Sequence, residues 1–467
     1  MSKSEMNGLT NQVMTLIRQK IQQRQLLAGE RLPSVRALAQ TMKVSPSTVV
    51  EAYERLVAEG LIRARRGSGF YVNHSVLPSL NFQLESNQLD REIDPFWVSR
   101  QSLDHPEKAM LPGCGWMPAS WMPEAALRSA LRKLARSDSL TLTDYGHSLG
   151  DLSLRRSLSQ RLAQQGVALD ARQLLLCNSA TQAIDLICRL LLRPGDTVML
   201  DDPCYFNFRA LLRAHQVKVV GVPIQQDGPD ILRFRELLEE HKPRLYLTNS
   251  GLHNPTGVNV SAYKLHQILS LSAQANLLIV EDDIFADLET ETTPRLASMD
   301  GLQRVLRIGS FSKTISASVR CGYIAARSEW IEQLRDLQLA TQFGGPSPIA
   351  CEIVSAVLEG GGYRRHLAEL HLRLAKARRD TIQRLQKIGI TPWHLPAAGF
   401  FIWCQLPEAY DSSLLARQAL AHNIVLAPGN VFSVNQNASQ FLRFNVTQCQ
   451  SPELFATLRQ LLLHKHN

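Results

Sequence analysis

Val305-Leu306-Arg307-Ile308-Gly309-Ser310-Phe311-Ser312-Lys313 is the stretch on which the reading of this chain turns. Residues 305–308 have the apolar density of a buried strand, and the chain leaves it through two hydroxyls and a lysine. A lysine at the end of a buried strand is costly as a cation. Its position makes sense if the amine forms an imine with an aldehyde cofactor. Arg320, seven residues beyond the lysine, and the hydroxyls of Ser310 and Ser312 then suit a phosphate group.

Outward from this stretch the theme repeats. Residues 174–177, 197–200, 217–222, 244–248, 277–281 and 322–325 are short strand-like runs separated by helical stretches. Alternation of helices with apolar strands predicts a mostly parallel sheet covered on both faces. The ends of these strands carry chemistry. Asn178-Ser179-Ala180-Thr181 opens a helix, whose free N–H groups make an anion site. Glu281-Asp282-Asp283 ends another strand, where a carboxylate can keep a pyridinium nitrogen protonated. Asn254-Pro255-Thr256-Gly257 is a turn able to aim an amide at a phenolic oxygen, and Asp202-Pro203-Cys204-Tyr205 offers an aromatic face.

The ordered set resembles the fold-type I aminotransferases, over roughly residues 110–465. The resemblance implies a pyridoxal 5'-phosphate-dependent transferase fold of α/β class, with a smaller C-terminal α+β subdomain. It implies that Lys313 is the Schiff-base lysine and Asp282 the partner of the pyridine nitrogen. Asn254 would contact the phenolic oxygen, and Tyr205 would stack on the ring. Ser179, Ala180, Thr181, Ser310, Ser312 and Arg320 would hold the phosphate. Tyr145, in Tyr145-Gly146 … Gly150-Asp151-Leu152, would reach the phosphate of a neighbouring subunit, which implies a homodimer. Arg443, in Leu442-Arg443-Phe444-Asn445, would bind an amino-acid carboxylate. The sequence departs from its relatives at Phe285, where a tyrosine hydroxyl often bonds the phenolic oxygen.

The other end of the chain reads differently. Residues 1–75 hold 11 Lys and Arg against 5 Glu and no Asp, two-thirds of the net charge of +9. Such asymmetry points to a nucleic-acid-binding end. Val13, Leu16, Ile17 and Ile21 predict a first helix over about 9–24. Ser34 and Ser45 are N-cap candidates for two short helices joined by a tight turn, and Pro46 suits the first helical position. Residues 61–64 and 70–72 read as two strands joined at Arg65-Arg66-Gly67-Ser68-Gly69, a basic hairpin tip. The pattern is a winged helix-turn-helix.

This stretch, Leu32-Pro33-Ser34-Val35-Arg36 … Ser45-Pro46-Ser47-Thr48-Val49 … Gly67-Ser68-Gly69, resembles the GntR family of bacterial repressors over about 9–72. The resemblance implies DNA contacts by Arg36, Ser45, Ser47, Thr48, Arg66 and Gly67. At Pro46 and Val50 relatives often carry arginine, which shifts the weight towards phosphate contacts. The two resemblances together are those of the MocR subfamily of transcriptional regulators. The expected layout is a DNA-binding domain at 1–74, a linker at 75–108 and an aminotransferase-like domain at 109–467. The expected partners are a double-stranded DNA operator, an amino acid or pyridoxal phosphate as effector, and a second copy of the chain, with the large domains possible in a head-to-tail swap. A working aminotransferase carrying a DNA-binding domain is the alternative, and an architectural DNA-binding dimer with an inert large domain is a third reading.

Composition fits these readings. Hydrophobic residues make up 45% and charged residues 20%, the balance of a globular chain. Lys3, Glu5, Arg18 and Lys20 argue against a signal peptide. Eight scattered cysteines without a Cys-x-x-Cys pair argue against zinc and disulfides, and predict a reducing, cytoplasmic setting. No metal is expected. His147, His215 and His253 fit no site pattern.

Overall fold

The computed structural model describes residues 3–22, 26, 29–65, 68–73, 95–136, 140–143, 145–407 and 410–463. They fall into two compact units, divided between Asp90 and Arg91.

In the first unit, α1 (Lys3–Gln22) precedes the short helices α2 (Val35–Met42) and α3 (Pro46–Ala58) and the hairpin β1 (Ile62–Arg65) and β2 (Gly69–Val72). Helix α1 begins earlier than its apolar repeat alone suggested. The caps explain where α2 and α3 start. The Ser34 hydroxyl accepts from Ala37 N at 3.2 Å, and Ser45 accepts from Thr48 N at 3.2 Å. Lys43, in the left-handed region at φ 53°, ends α2 and turns the chain. Val13, Ile17, Leu38, Val49, Ala52, Leu56, Ile62 and Val72 close one apolar core around Tyr53. Burial pushes the Tyr53 phenol up to about 12, and its hydroxyl donates to the Pro33 carbonyl at 2.9 Å.

The second unit opens with α4 (Pro95–Leu103), where a linker was expected to continue to 108. The apolar patch Phe96-Trp97-Val98 is too apolar for a free linker and predicts docking on the large domain; Trp97 and Val98 are buried in the core of this unit, while Phe96 stays exposed. Next come α5 (Glu124–Leu134), α6 (Leu152–Gln164), β3 (Leu174–Cys177), α7 (Ala180–Leu191), β4 (Thr197–Asp202), α8 (Phe206–Ala214), β5 (Lys218–Gln225), β6 (Gly228–Pro229), α9 (Ile231–His241) and β7 (Leu245–Thr248). Then follow α10 (Ala262–Gln274), β8 (Leu278–Asp282), α11 (Leu296–Asp300), β9 (Val305–Ser310), β10 (Gly322–Ala325), α12 (Ser328–Gln342), α13 (Pro348–Glu359) and α14 (Gly362–Gln386).

Strands β3 to β10 form one sheet in the order β3-β10-β9-β8-β7-β4-β5-β6. The pairs β9–β8, β8–β7, β7–β4 and β4–β5 are parallel, while β10 runs against both neighbours and β6 against β5. The sheet is therefore mostly parallel. Separate apolar clusters flank it, as apolar strands buried on both faces require. A smaller antiparallel sheet, β11 (Thr391–Pro392), β12 (Phe401–Gln405), β13 (Ala427–Pro428) and β14 (Phe441–Asn445), packs with α15 (Ser412–Leu420) and α16 (Pro452–Leu463) in a C-terminal α+β part.

Candidate cofactor site and candidate DNA-reading face

The carboxyl ends of β3, β4, β7, β8 and β9 share one edge of the large sheet, where open α/β folds place their ligands. Each end delivers a side chain or a helix start. Strand β9 leads through Ser310 and Ser312 to Lys313, whose Nζ donates to the Gly115 carbonyl at 2.7 Å. Burial, then the Arg443 charge, lowers the Lys313 ammonium to about 8. Strand β8 ends at Asp282, which is buried. Burial first, and Asp283 beside it, raise its carboxyl to about 7, although the Ile284 N–H donates to it at 3.3 Å. Asn249, after β7, donates to the Asp282 carbonyl oxygen at 2.7 Å. These two shifts run in opposite senses, so the amine drifts towards neutral and the carboxyl towards protonated.

Glu281 and Asp283 face away from this task. Glu281 accepts from the Ser250 hydroxyl and from Leu296 N and Ala297 N, both at 2.8 Å, and so caps α11. Asp283 pairs with Arg295 at 3.0 Å and Arg307 at 2.7 Å, all three buried.

Helix α7 starts at the end of β3. Ser179 caps it, accepting from Gln182 N at 3.1 Å. The close approach requires Gly322 on β10, because a Cβ there would lie 2.8 Å from the Gly309 carbonyl and 3.3 Å from Ala180 N. Ser179, Ala180, Thr181, Ser312 and Arg320 line a cavity of about 500 Å³ together with Tyr205, Asp282 and Lys313. Arg320 is exposed and holds φ 55°, a conformation rare for a side-chain-bearing residue. Ser310 stands one step behind. Its hydroxyl donates to the Cys321 carbonyl at 3.3 Å and lies 3.1 Å from the Ser312 hydroxyl.

Arg443, on β14, enters from the C-terminal part. It donates to Asn254 Oδ1 at 3.0 Å and the Gly113 carbonyl at 2.7 Å. Its guanidinium lies 4.2 Å from the Phe401 ring centroid and 4.8 Å from that of Phe432. Its Nε has no partner in the protein, and burial lowers its pKa to about 10. Asn254 keeps its Nδ2 free of this contact. Tyr205 packs at 4.9 Å from Phe206 and 5.3 Å from Phe208. Phe285 is buried edge-on against Phe400 and Phe401, and no hydroxyl stands there. Tyr145 lies apart from the cavity lining. It is 79% exposed and packs edge-on against Phe343 at 5.1 Å.

The sequence did not single out Gly115 or Asn249. His253 is buried, bonded to Thr256 Oγ1 at 2.8 Å, with Asp201 at 3.3 Å. Every cysteine is free and buried, and among the described residues no cluster of metal ligands occurs.

In the first unit Arg36, Ser45 and Ser47 are exposed at the starts of α2 and α3. Thr48 is buried; its N–H makes the cap bond to Ser45, and its hydroxyl lies 2.8 Å from the Ser45 hydroxyl. Arg66 and Gly67 lie outside the described residues. Arg31, which the sequence reading passed over, bridges to Tyr71, and its guanidinium runs beside Gly69 at the wing.

Comparison with known proteins agrees with both halves. Residues 9–72 match the gntR family of bacterial regulatory proteins, and residues 119–460 match the class I and II aminotransferases. The HTH-type transcriptional regulator YdfD of Bacillus subtilis, an uncharacterized protein, is 28% identical over 95% of this chain and 93% of its own. NorG, an HTH-type transcriptional regulator of Staphylococcus aureus, is 26% identical over 87% of this chain and 94% of its own. Two solved structures share the large fold. One is the α-aminoadipate aminotransferase LysN of Thermus thermophilus, with TM-score 0.71, 22% identity, 80% of this chain and 95% of that one. The other is the kynurenine aminotransferase of Pyrococcus horikoshii, with TM-score 0.73, 21% identity, 84% and 100%. The chain belongs to the class I and II aminotransferase family and carries a gntR-type helix-turn-helix ahead of that domain, the combination of the MocR regulators.

Proposed function

We propose that this chain is a DNA-binding transcriptional regulator whose large unit binds pyridoxal 5'-phosphate and responds to it or to an amino acid joined to it. The residues at the strand ends fit that cofactor. Lys313 offers an amine lowered to about 8, next to an Asp282 carboxyl raised to about 7. This pairing in one cavity carries the reading. Pyridoxal phosphate, when bound, supplies an aldehyde carbon for an amine and an electron sink for bonds at that carbon.

The chain's own groups then divide the work. Lys313 presents an amine that becomes neutral as pH rises through about 8, well below the ordinary lysine range. Asp282 holds a proton against the pyridine nitrogen. Asn254 Nδ2 donates to the phenolic oxygen, while its Oδ1 stays with Arg443. Ser179, Ala180, Thr181, Ser312 and Arg320 receive the phosphate at the start of α7, with Ser310 bracing Ser312. Tyr205 faces the ring, and Arg443 clamps an incoming carboxylate. Tyr145 completes the phosphate site of a second copy in a homodimer. Arg36, Ser45 and Ser47 meet duplex DNA, with Arg66 and Gly67 at the wing and Thr48 fixing the helix start. The relatives named as transcriptional regulators support the DNA-reading role.

A transaminating enzyme is the second reading, favoured by the set of Lys313, Asp282, Asn254 and Arg443 in one cavity. Phe285 weighs against it, because no hydroxyl assists at the phenolic oxygen.

The test is the visible absorption of the purified protein with added pyridoxal phosphate, beside Lys313→Ala. A band present in the parent and missing in Lys313→Ala is expected. Identical spectra would sink the cofactor reading. Steady keto-acid release from an added amino acid would favour the enzyme reading.

A further inference from the structure

The helix-turn-helix unit carries a third extended segment beside its hairpin. Gly29 N donates to the Val72 carbonyl at 2.9 Å, Val72 N to the Glu30 carbonyl at 2.9 Å and Leu32 N to the Phe70 carbonyl at 2.8 Å. Residues 29–32 thus flank β2 on the side away from β1.

The pairing fixes which side chains share a face. Tyr71 stands opposite Arg63 on β1 and opposite Arg31 on the added segment, and Arg65 stands opposite Gly69. Paired residues lie on the same side of a sheet, and so do residues two apart on a strand. Arg31, Arg63, Arg65, Gly69 and Tyr71 therefore share the outer side of the wing. On the inner side, Ile62 and Val72 close the apolar core, and Phe70 packs edge-on against Tyr53 at 4.8 Å.

The outer side is basic and ordered by contacts. The Arg65 guanidinium lies 4.9 Å from the Tyr71 ring centroid, and the Tyr71 hydroxyl is 2.6 Å from that of Ser68. The Arg31 guanidinium crosses Gly69, where a Cβ would stand 3.4 Å from its Nε. Arg31 and Arg65 are exposed, while Arg63 is half-buried with an Nε that no protein group satisfies. Among the described residues no carboxylate pairs with any of the three, whereas Arg18 and Arg55 of the same unit pair with Glu59 and Glu51. Like charges gathered on neighbouring strands repel, so the cluster works against the stability of its own unit. A polyanion relieves that repulsion.

We propose that the outer side of the wing is a seat for the phosphates of duplex DNA, with Arg31 as a contact that belongs to neither the recognition helix nor the wing tip. The proposal rests on the DNA-binding role above and adds three residues to it. Charge complementarity and continuity with the wing select the occupant. The start of α3 points the same way, because its residues 46–52 bring no cation.

Phosphate contacts do not depend on sequence, so a fluorescein-labelled, mixed-sequence duplex of about 30 base pairs serves as the probe for the full chain. Anisotropy gives the affinity as KCl rises from about 0.05 to 0.3 M. Arg31→Gln should weaken binding about threefold or more near 0.1 M salt and lower the slope of log affinity against log salt by about one. Replacing Arg31, Arg63 and Arg65 together by Gln should lower the slope by about two to three. Arg31→Lys should keep it. Arg18→Gln removes the same charge from a guanidinium already held by Glu59 at 2.6 Å, and should leave the slope unchanged. The thermal midpoint of Arg31→Gln should stay or rise, which separates a lost contact from a lost fold. The parent slope in Arg31→Gln, or an equal loss in Arg18→Gln, would overturn the proposal. So would an Arg31→Gln chain that binds duplex as the parent does but sediments as a smaller species, which gives this face to a second copy. A parent chain that binds no duplex overturns the DNA-binding role and this proposal together.

Discussion

Lys313 concentrates the conflict between stability and use. Its folded pKa of about 8 lies below the ordinary 10.5, so the folded chain holds this proton less tightly than the unfolded chain does. The resulting cost is fully present below pH 8 and fades as pH rises through 10.5. A shift of this size is worth at most about 3 kcal/mol, less what the bond to Gly115 returns. Lys313→Met should therefore stabilise the protein without added cofactor at pH 7, with the gain shrinking by pH 10. Urea unfolding at both pH values checks this; a Met variant less stable at pH 7 contradicts it. The type of residue was legible here, since few roles suit a lysine after a buried strand. Asn249 and the Gly115 carbonyl were not legible, because a backbone oxygen and a lone amide leave no pattern in sequence. Arg443 showed in the sequence only through resemblance; its stacking on Phe401 and Phe432 depends on chain far from it in number.

At the scale of elements, the caps were the most readable features. Ser34 and Ser45 each accept the N–H that an N-cap should take. Ser45→Ala should cost the first unit about 1 kcal/mol, through a frayed start of α3. Thermal unfolding of the isolated transition of that unit reads this; an unchanged midpoint would mean that the Ser45 hydroxyl does not hold the start of α3. The apolar runs read correctly as strands, and their shared direction followed from alternation with helices. The reversed strand β10 was not visible, because a buried antiparallel strand has the same composition as its parallel neighbours. Helix α4 lay inside the stretch read as linker because of its prolines and polar residues; the patch Phe96-Trp97-Val98 pointed to docking, and the packing of Trp97 and Val98 shows the helix that does it.

At the scale of the molecule, the basic excess falls in residues 1–75, inside the first of the two compact units, which runs to Asp90. Exposed Tyr145 lies beside Phe343 on a part of the large unit that also exposes Leu142. If Tyr145 serves a second copy, Tyr145→Ala should lower cofactor affinity several-fold in the dimer. Mixing Tyr145→Ala with Lys313→Ala should then restore one intact site per heterodimer. Equilibrium dialysis of the mixture measures this; no recovery would place Tyr145 outside the site. The oligomer stayed out of reach of sequence alone, since an exposed tyrosine reads the same on a free surface.

The triplet Glu281-Asp282-Asp283 has a consequence for how this protein can vary. Successive side chains of a strand point to opposite sides, so the outer two acids cap α11 and neutralise Arg295 and Arg307 while the middle one faces the ligand cavity. Loss or gain of one codon in β8 would hand the middle task to an acid already committed elsewhere and turn the helper acids into the cavity. A substitution in this triplet touches one of the three roles, whereas an insertion or deletion displaces all three.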